Sequence, residues 1–470
     1  MTKYDIAVIG GGPGGYVAAI RAAQLGLKAA VIEEERVGGL CLNWGCIPSK
    51  ALLWNAELVH LFKESKEFGI TYDALHIDMG AAIDRSRKVV DRMVQGVEFL
   101  LKKNKVAVIA GRGRLAGKNE IVVEQSGEAN GAGGDTVDAD NIIIATGAHA
   151  RSLPGVEIDG ETVITSHEAL LLREPPESIV IVGGGAVGVE FAYFYRAYGS
   201  EVTIIELLDR LLPLEDETIS SQLERAFKKQ GIAYRTGAQV EGIDVANGRA
   251  AVSISKNGQR EELATDKVLI GVGMAGNTDR LGLEDAGVTV EGSFIQIDER
   301  MTTNVPGVYA IGDVTGRLLL AHVASAQGVI AAEAIAGREP SPLDYEKMPR
   351  CTYCQPQVAS LGLTEAQARE RGIEVKIGSF PYRGNGKAIA MNRLDGLAKL
   401  VADAATGEIL GYHIIGQDAT ELLAEASLGS ALETTPRELG WTVHAHPTLS
   451  EVVKEAALAV DGEAIHFWTE

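Results

Sequence analysis

Two cysteines five positions apart, Cys41 and Cys46, lie in the segment Val37-Gly-Gly-Leu-Cys-Leu-Asn-Trp-Gly-Cys-Ile-Pro-Ser-Lys50. A helical stretch over residues 51–62 follows. Both thiols therefore fall at or just before a helix start, where the dipole lowers a thiol pKa and raises its reactivity. Three readings stand open. The pair can be inert buried thiols, half of a metal site completed by Cys351 and Cys354, or a redox disulfide. Spacing sets a condition on the last. Five residues of straight helix span roughly 7.5 Å, whereas bonded cysteines need Cα atoms within about 7 Å. Bonding therefore requires a distorted first turn, which Asn43, Gly45 and Pro48 are residue types to permit. Cys351 and Cys354 point to opposite faces if extended and read as structural thiols.

The next chemical signal occurs twice. An apolar run at 6–9 leads into Gly10-Gly11-Gly12-Pro13-Gly14-Gly15, a helical stretch follows, and a second apolar run ends in Glu33. The same plan returns as a run at 179–182, Gly183-Gly184-Gly185-Ala186-Val187-Gly188, a helical stretch and a run ending in Glu206. In each copy the acid lies 21 positions after the middle glycine. This is the dinucleotide-binding fingerprint with its strand before and helix after. The glycines allow a tight turn and close approach to a pyrophosphate, and the helix N-terminus supplies free N–H groups. The acid accepts from a ribose hydroxyl. Two copies imply two dinucleotides. A carboxylate at 206, followed by Leu-Leu-Asp before Arg210, repels a 2′-phosphate, so the second copy favours NAD over NADP. A flavin-type fingerprint directly before Cys41 and Cys46 favours the redox reading of that pair.

The elements that must carry these groups follow from the punctuation. A strand at 142–144 ends in Ala145-Thr146-Gly147, residues 125–138 read as a solvent loop within a β-excursion, and a strand near 267–272 closes the second copy. Residues 303–313 read turn, strand, turn. From Pro349 strand-like runs precede a helix at 418–433 and another near 450–460. Strands followed by helices indicate a separate α+β unit. The fold class is α/β: two Rossmann-like dinucleotide-binding domains and a C-terminal α+β domain.

With 470 residues and 46% hydrophobic content the chain is long enough for about three domains. Its 44 basic and 64 acidic residues leave a net charge of −20, against nucleic-acid binding. Four cysteines in so long a chain are not a secreted disulfide framework. No apolar run reaches the ~18 residues that span a bilayer. A cytoplasmic protein, or an organellar one after loss of a presequence, is expected, without membrane contact.

Near the C-terminus, His446 precedes Pro447, which biases it toward extended backbone, and Glu451 follows where a helix is expected to begin. A carboxylate beside an imidazole fixes its tautomer and raises its pKa. His444 reads as structural.

Together the segment 38–50, both fingerprints, TNVPGVYAIGD at 303–313 and HAHPTLSE at 444–451 resemble the pyridine nucleotide–disulfide oxidoreductases, over residues 4 to about 455. Within that family they are most similar to the members that oxidise dihydrolipoyl groups with NAD. The resemblance implies that Gly10, Gly12, Gly15 and Glu33 hold the adenosine side of FAD. Asp313 would contact the ribityl chain, and Thr146 and Gly147 would also touch the flavin nucleotide. Gly183, Gly185, Gly188 and Glu206 would bind NAD. Cys46 would face the flavin and Cys41 exchange with substrate; Lys50 would lie near the ring and pair with Glu190. His446 would be the base, oriented by Glu451 and supplied by the second subunit of a homodimer. The partner carrying the substrate would be the lipoyl-bearing acyltransferase of a 2-oxoacid dehydrogenase complex. The implied domains are 1–147 and 273–347 for FAD, 148–272 for NAD, and 348–470 for the dimer interface. One stretch departs from the family: its usual G-R-x-P-N after the NAD unit reads Gly271-Val-Gly-Met-Ala-Gly-Asn277 here, which bears on the loop and on NAD affinity. The nearest alternative is a related flavoprotein acting on another disulfide or small oxidant. Non-catalytic scaffolding and docking within a larger complex are the further readings.

Overall fold

The computed structural model describes residues 3–124 and 135–467. The proposed solvent loop at 125–138 lies outside the described residues except for 135–138, which open the strand Asp135–Ile144.

The chain forms two compact units. The first comprises residues 1–52, 80–151 and 273–345. Its seven-stranded sheet runs Ala107–Ala110, Ala29–Glu33, Lys3–Ile9, Asp135–Ile144, Glu120–Glu124, Arg112–Leu115, with Val308–Ala310 also paired to Asp135–Ile144. The central strands are parallel, and Ile6, Val8, Val31, Ile142 and Ile143 are fully buried. Continuous apolar runs of this kind are what a strand covered on both faces requires. The helix Pro13–Gln24 packs on the helix Ala321–Ile335 through glycine and alanine, and a Cβ at Gly328 would lie 2.6 Å from the Gly14 carbonyl oxygen. The 25-residue helix Met79–Lys103, which sequence reasoning did not identify, buries Val90, Val94, Val97 and Leu101 in the same core.

The second unit comprises residues 53–79, 152–272 and 346–470. A five-stranded parallel sheet, ordered Ala233–Arg235, Glu201–Ile205, Ser178–Val182, Lys267–Ile270, Val163–Ile164, carries the second fingerprint. A three-stranded antiparallel sheet spans residues 239–265. The C-terminal part is a five-stranded antiparallel sheet in the order Arg350–Thr352, Gln357–Gly362, Ile409–Gly416, Leu397–Asp403, Val375–Pro381. The helices Ala419–Ala431 and Glu451–Val460 bury Leu423, Ala426, Val452, Val453 and Ala456 in the core of that sheet. The expected fold class, two Rossmann-like parts and a C-terminal α+β part, is the observed one. No helix among the described residues is long and apolar enough to cross a membrane.

Candidate active site

The two glycine loops have nearly the same geometry. Gly10 has φ +102° and Gly183 φ +114°, and a Cβ on either would sit 2.3 Å from a carbonyl oxygen of the next strand end, Ala145 or Gly271. A Cβ on Gly15 would lie 2.0 Å from the Gly10 oxygen, and one on Gly188 1.9 Å from the Gly183 oxygen. These contacts leave room for glycine only, because the helix packs directly on the loop that precedes it. The middle glycines differ in kind. At Gly12 the nearest atom to an added Cβ is 3.8 Å away, and at Gly185 there is none within 4 Å. Their backbone is the part left open for a phosphate at a helix N-terminus.

Each acid is locked the same way. Glu33 Oε2 accepts from the Gly11 N–H at 2.7 Å and Oε1 from the Glu35 N–H at 3.0 Å. Glu206 Oε2 accepts from the Gly184 N–H at 2.6 Å and Oε1 from the Leu208 N–H at 2.8 Å. Acceptor-only carboxylates with their backbone bonds already made present their remaining lone pairs to hydroxyl donors.

In the first unit a cavity of about 600 Å³ runs along this loop. Glu33 and Arg36 stand on its wall, Gly10, Gly12 and Pro13 line the middle, and Thr146, Gly147, Asp313, Cys41 and Cys46 complete it. Burial pushes the Asp313 carboxyl up to about 6. Its segment is held from behind by the Gly312 N–H donating to Gln327 Oε1 at 2.6 Å.

Cys41 and Cys46 form a disulfide with Cα atoms 4.7 Å apart. The distortion that spacing demanded is a break between two helices, Gly39–Trp44 and Cys46–Glu64, located at Gly45. A Cβ there would lie 3.0 Å from the Leu40 oxygen and 3.4 Å from the Cys41 Cα. Cys46 starts a helix as expected, but Cys41 sits inside a short one. The short helix is tied to the nucleotide loop. The Gly38 N–H donates to the Gly11 oxygen at 2.8 Å, and a Cβ on Gly39 would meet the Gly12 Cα at 2.7 Å. Asn43 Nδ2 donates to the Gly39 oxygen at 3.0 Å, while Arg87 donates to the Asn43 oxygen at 2.6 Å and stacks over the Trp44 ring at 4.6 Å. Because the two sulfurs are bonded to each other, the four-cysteine metal reading does not hold. Cys354 is fully buried, and its thiol donates to the Pro356 oxygen.

Sequence reasoning missed Asn277. It lies in the departing stretch, where Met274–Gly276 pairs with Ala148–Ala150. Asn277 Nδ2 donates to the Thr146 oxygen at 2.8 Å, its own carbonyl accepts from Thr146 Oγ1 at 2.8 Å, and its Oδ1 meets His149 Nδ1 at 2.7 Å. Asn277 and His149 both line the cavity. The signal was present, since an asparagine ends the stretch whose expected arginine and proline are missing.

In the second unit His446 Nδ1 lies 2.9 Å from Glu451 Oε1, and the helix begins at Glu451. Glu451 Oε2 accepts from the Thr448 N–H at 2.9 Å. Burial pushes the Glu451 carboxyl up, but the Thr448 N–H and the His446 ring outweigh it and hold it below its ordinary value. An ionised carboxylate can only accept, so Nδ1 donates to it, and Nε2 is the second nitrogen of a ring whose side chain is 75% exposed. Glu190 is buried on the helix Ala186–Ala197, with Oε1 accepting from the Tyr353 N–H at 2.9 Å. Lys50 is the fifth residue of Cys46–Glu64, at the start of its second turn.

The family profile described as pyridine nucleotide-disulphide oxidoreductase matches residues 4–328, and that of its dimerisation domain matches residues 348–457. The chain belongs to the pyridine nucleotide–disulphide oxidoreductase family. The dihydrolipoyl dehydrogenase of Mycobacterium leprae (strain TN) is 52% identical to this family member over 470 residues, 99% of this chain and 100% of the relative. That of Bacillus subtilis (strain 168) is 45% identical over 475 residues, again 99% and 100%. The crystal structure of LpdA from Mycobacterium tuberculosis superposes with a TM-score of 0.89 at 28% identity, covering 97% of this chain and 99% of that one. The cavity beside the first loop, with its open glycine backbone, hydroxyl-accepting carboxylates and bordering disulfide, fits FAD. The second loop with buried Glu206 fits NAD.

Proposed function

We propose that this chain oxidises dihydrolipoyl groups and delivers the electrons to NAD. The observation that carries this reading is the Cys41–Cys46 disulfide on the wall of the cavity formed by the first nucleotide loop. When bound there, FAD carries the electron pair from the cysteines toward NAD. His446 Nε2 takes a proton from one substrate thiol, because thiolate is the attacking species. The thiolate attacks Cys41 and forms a mixed disulfide while the Cys41–Cys46 bond breaks. The second substrate thiol then gives its proton to the departing Cys41 sulfur and displaces it, leaving the lipoyl disulfide, a Cys41 thiol, a Cys46 thiolate and a protonated His446. Two electrons and two protons have moved, and no atom is left over. Glu451 stabilises the imidazolium that forms in the first step.

In this reading Cys46 faces the flavin, Lys50 and Glu190 pair beside it, and Asp313, Thr146 and Gly147 hold the flavin nucleotide. Gly183, Gly185, Gly188 and Glu206 hold NAD. The dimerisation domain supports a homodimer, in which the base acts on the other subunit's disulfide. Trp441 and Val443, 66% and 91% exposed just before the base, are apolar surface that such an interface would cover. The substrate group would arrive on the lipoyl-bearing acyltransferase of a 2-oxoacid dehydrogenase complex.

The deciding experiment is the rate of NAD reduction by dihydrolipoamide with the purified protein, its visible spectrum recorded and NADP run beside NAD. A yellow protein with fast, NAD-selective turnover is expected. A yellow protein inert to dihydrolipoamide would transfer the same machinery to another disulfide substrate, and a colourless one that takes up no FAD would remove the reading.

A further inference from the structure

Both ring nitrogens of His444 are engaged, and both partners are acceptors. Nε2 lies 2.9 and 3.2 Å from the two carboxylate oxygens of Glu425, and Nδ1 lies 2.9 Å from the Thr442 carbonyl oxygen. A neutral imidazole has one N–H and one lone pair. Whichever tautomer it adopted, a lone pair would face an oxygen lone pair. Only the imidazolium, with two N–H groups, satisfies this surrounding. Its side chain is 5% exposed, so the contacts are not exchanged freely for water.

Three groups decide its charge. Glu425 approaches from the helix Ala419–Ala431, Thr442 offers its carbonyl from the end of Pro436–Trp441, and Lys454 opposes from the helix Glu451–Val460. The Glu425 bond raises the pKa above that of an ordinary histidine; burial and Lys454 lower it by less. Two residues on is His446. The chain between and beyond is stitched as well: Thr448 Oγ1 donates to the Ala445 oxygen at 2.6 Å, and the Thr448 N–H and His446 Nδ1 share the Glu451 carboxylate. None of these bonds uses His446 Nε2. His444 anchors the upstream end of that segment and Glu451 the downstream end.

We propose that His444 is a positioning residue for the base: a standing imidazolium, clamped by Glu425 and the Thr442 carbonyl, that holds the His446 segment in its working place and releases it when it loses its proton. The proposal rests on His446 being the base. The sign follows from the clamp. A histidine held charged in the folded chain contributes stability that is fully present below its ordinary pKa of about 6.5 and is lost as pH rises through the higher folded value. Turnover should therefore have an alkaline limb that belongs to His444.

The test uses the full-length flavin-loaded dimer, with kcat and KM for dihydrolipoamide measured across pH. Thermal melting is followed over the same range. Glu425→Gln removes the charge that favours the imidazolium, and the alkaline limb of kcat should move to lower pH. His444→Gln removes the titrating group, so kcat should fall roughly tenfold to a hundredfold, as for a displaced catalytic group, with the limb gone. KM should change less than kcat in both. His446→Gln is the control, expected to lose activity by orders of magnitude at every pH. If it does not, the base assignment fails, and that failure is separate from this one. An unchanged pH profile in both Glu425→Gln and His444→Gln overturns the proposal, whether kcat stays at the parent value or falls together with melting temperature. The latter would mark His444 as structural only.

Discussion

The two nucleotide loops are nearly superimposable in their internal contacts and differ in what covers them. In both, the carbonyl of the second glycine accepts from a later N–H in left-handed backbone: Gly38 (φ +99°) to Gly11 in the first, Leu212 (φ +48°) to Gly184 in the second, at 2.8 and 2.9 Å. In the first loop that N–H opens the cysteine helix, which lays Gly39 on Gly12 and places the disulfide on the cavity wall. In the second it belongs to a turn that buries Leu211 and Leu212 and leaves Leu207, Leu208 and Leu214 exposed. The same backbone solution to phosphate binding thus serves two tasks. A covered loop suits a group that stays and relays electrons to a dithiol. An open loop suits a dinucleotide that must leave after each turnover.

The largest effect should come from breaking the cover's chemistry. Cys46→Ser or Cys41→Ser should lower dihydrolipoamide oxidation at least about a thousandfold, as loss of a covalent nucleophile does, while visible flavin absorption persists. Equal substitutions in the two loops should then separate the tasks. Gly15→Ala and Gly188→Ala each add a Cβ about 2 Å from a carbonyl oxygen. Gly15→Ala should purify with little or no flavin. Gly188→Ala should stay yellow and take up electrons from dihydrolipoamide, yet reduce NAD poorly. Flavin content and stopped-flow reduction read both, and a colourless Gly188→Ala would erase the distinction between resident and exchanging sites.

Much of this was legible in the residues because glycine, proline and cysteine act locally. The repeat Gly10–Glu33 and Gly183–Glu206 announces strand, tight turn, helix and acid within one short stretch, and the structure has each in that order. The pair His446–Glu451 was readable because a separation of five positions suffices to bring a pre-helix imidazole to a helix start. What escaped depends on distant partners. The helix Met79–Lys103 buries one face against a sheet whose strands are far away in sequence. The antiparallel strands at 239–265 carry many charged residues on an exposed face, which obscures alternation. Asn277 meets Thr146 across a separation of 131 residues. The clamp on His444 was hidden for the same reason, since Glu425 reaches its Nε2 from a separate helix.

A smaller effect should come from Glu206, which shapes the open loop and, in the proposed function, accepts from the NAD ribose. Glu206→Gln keeps the size and weakens the acceptor toward the Gly184 N–H. The KM for NAD should rise about tenfold, roughly 1.4 kcal/mol, and the preference for NAD over NADP should narrow. The matching change Glu33→Gln in the covered loop should leave steady-state rates nearly intact and show instead as faster flavin loss on dilution. A large KM change from Glu33→Gln, with none from Glu206→Gln, would reverse the assignment of resident and exchanging sites.

The subtlest expectation concerns Asp313, a carboxyl that the covered cavity holds and the open loop has no counterpart to. Burial raises it to about 6 from 3.8, so the folded apoprotein binds more protons than the unfolded chain between those values. The contribution of this carboxyl to apoprotein stability should then be greatest below the lower value and be lost as pH rises through about 6. Asp313→Asn removes that penalty because an amide does not ionise. The apo variant should melt a few degrees above the parent near pH 8, with the gap closing toward pH 4. With flavin bound the order should invert, because the ionised carboxylate, costly while buried alone, is a stronger acceptor for a ribityl hydroxyl than the amide is. Calorimetry of apo and loaded forms at both pH values measures the inversion. If Asp313→Asn melts below the parent in both forms, the carboxylate supports the fold itself, and the cavity's cost for holding it is not offset by the ligand.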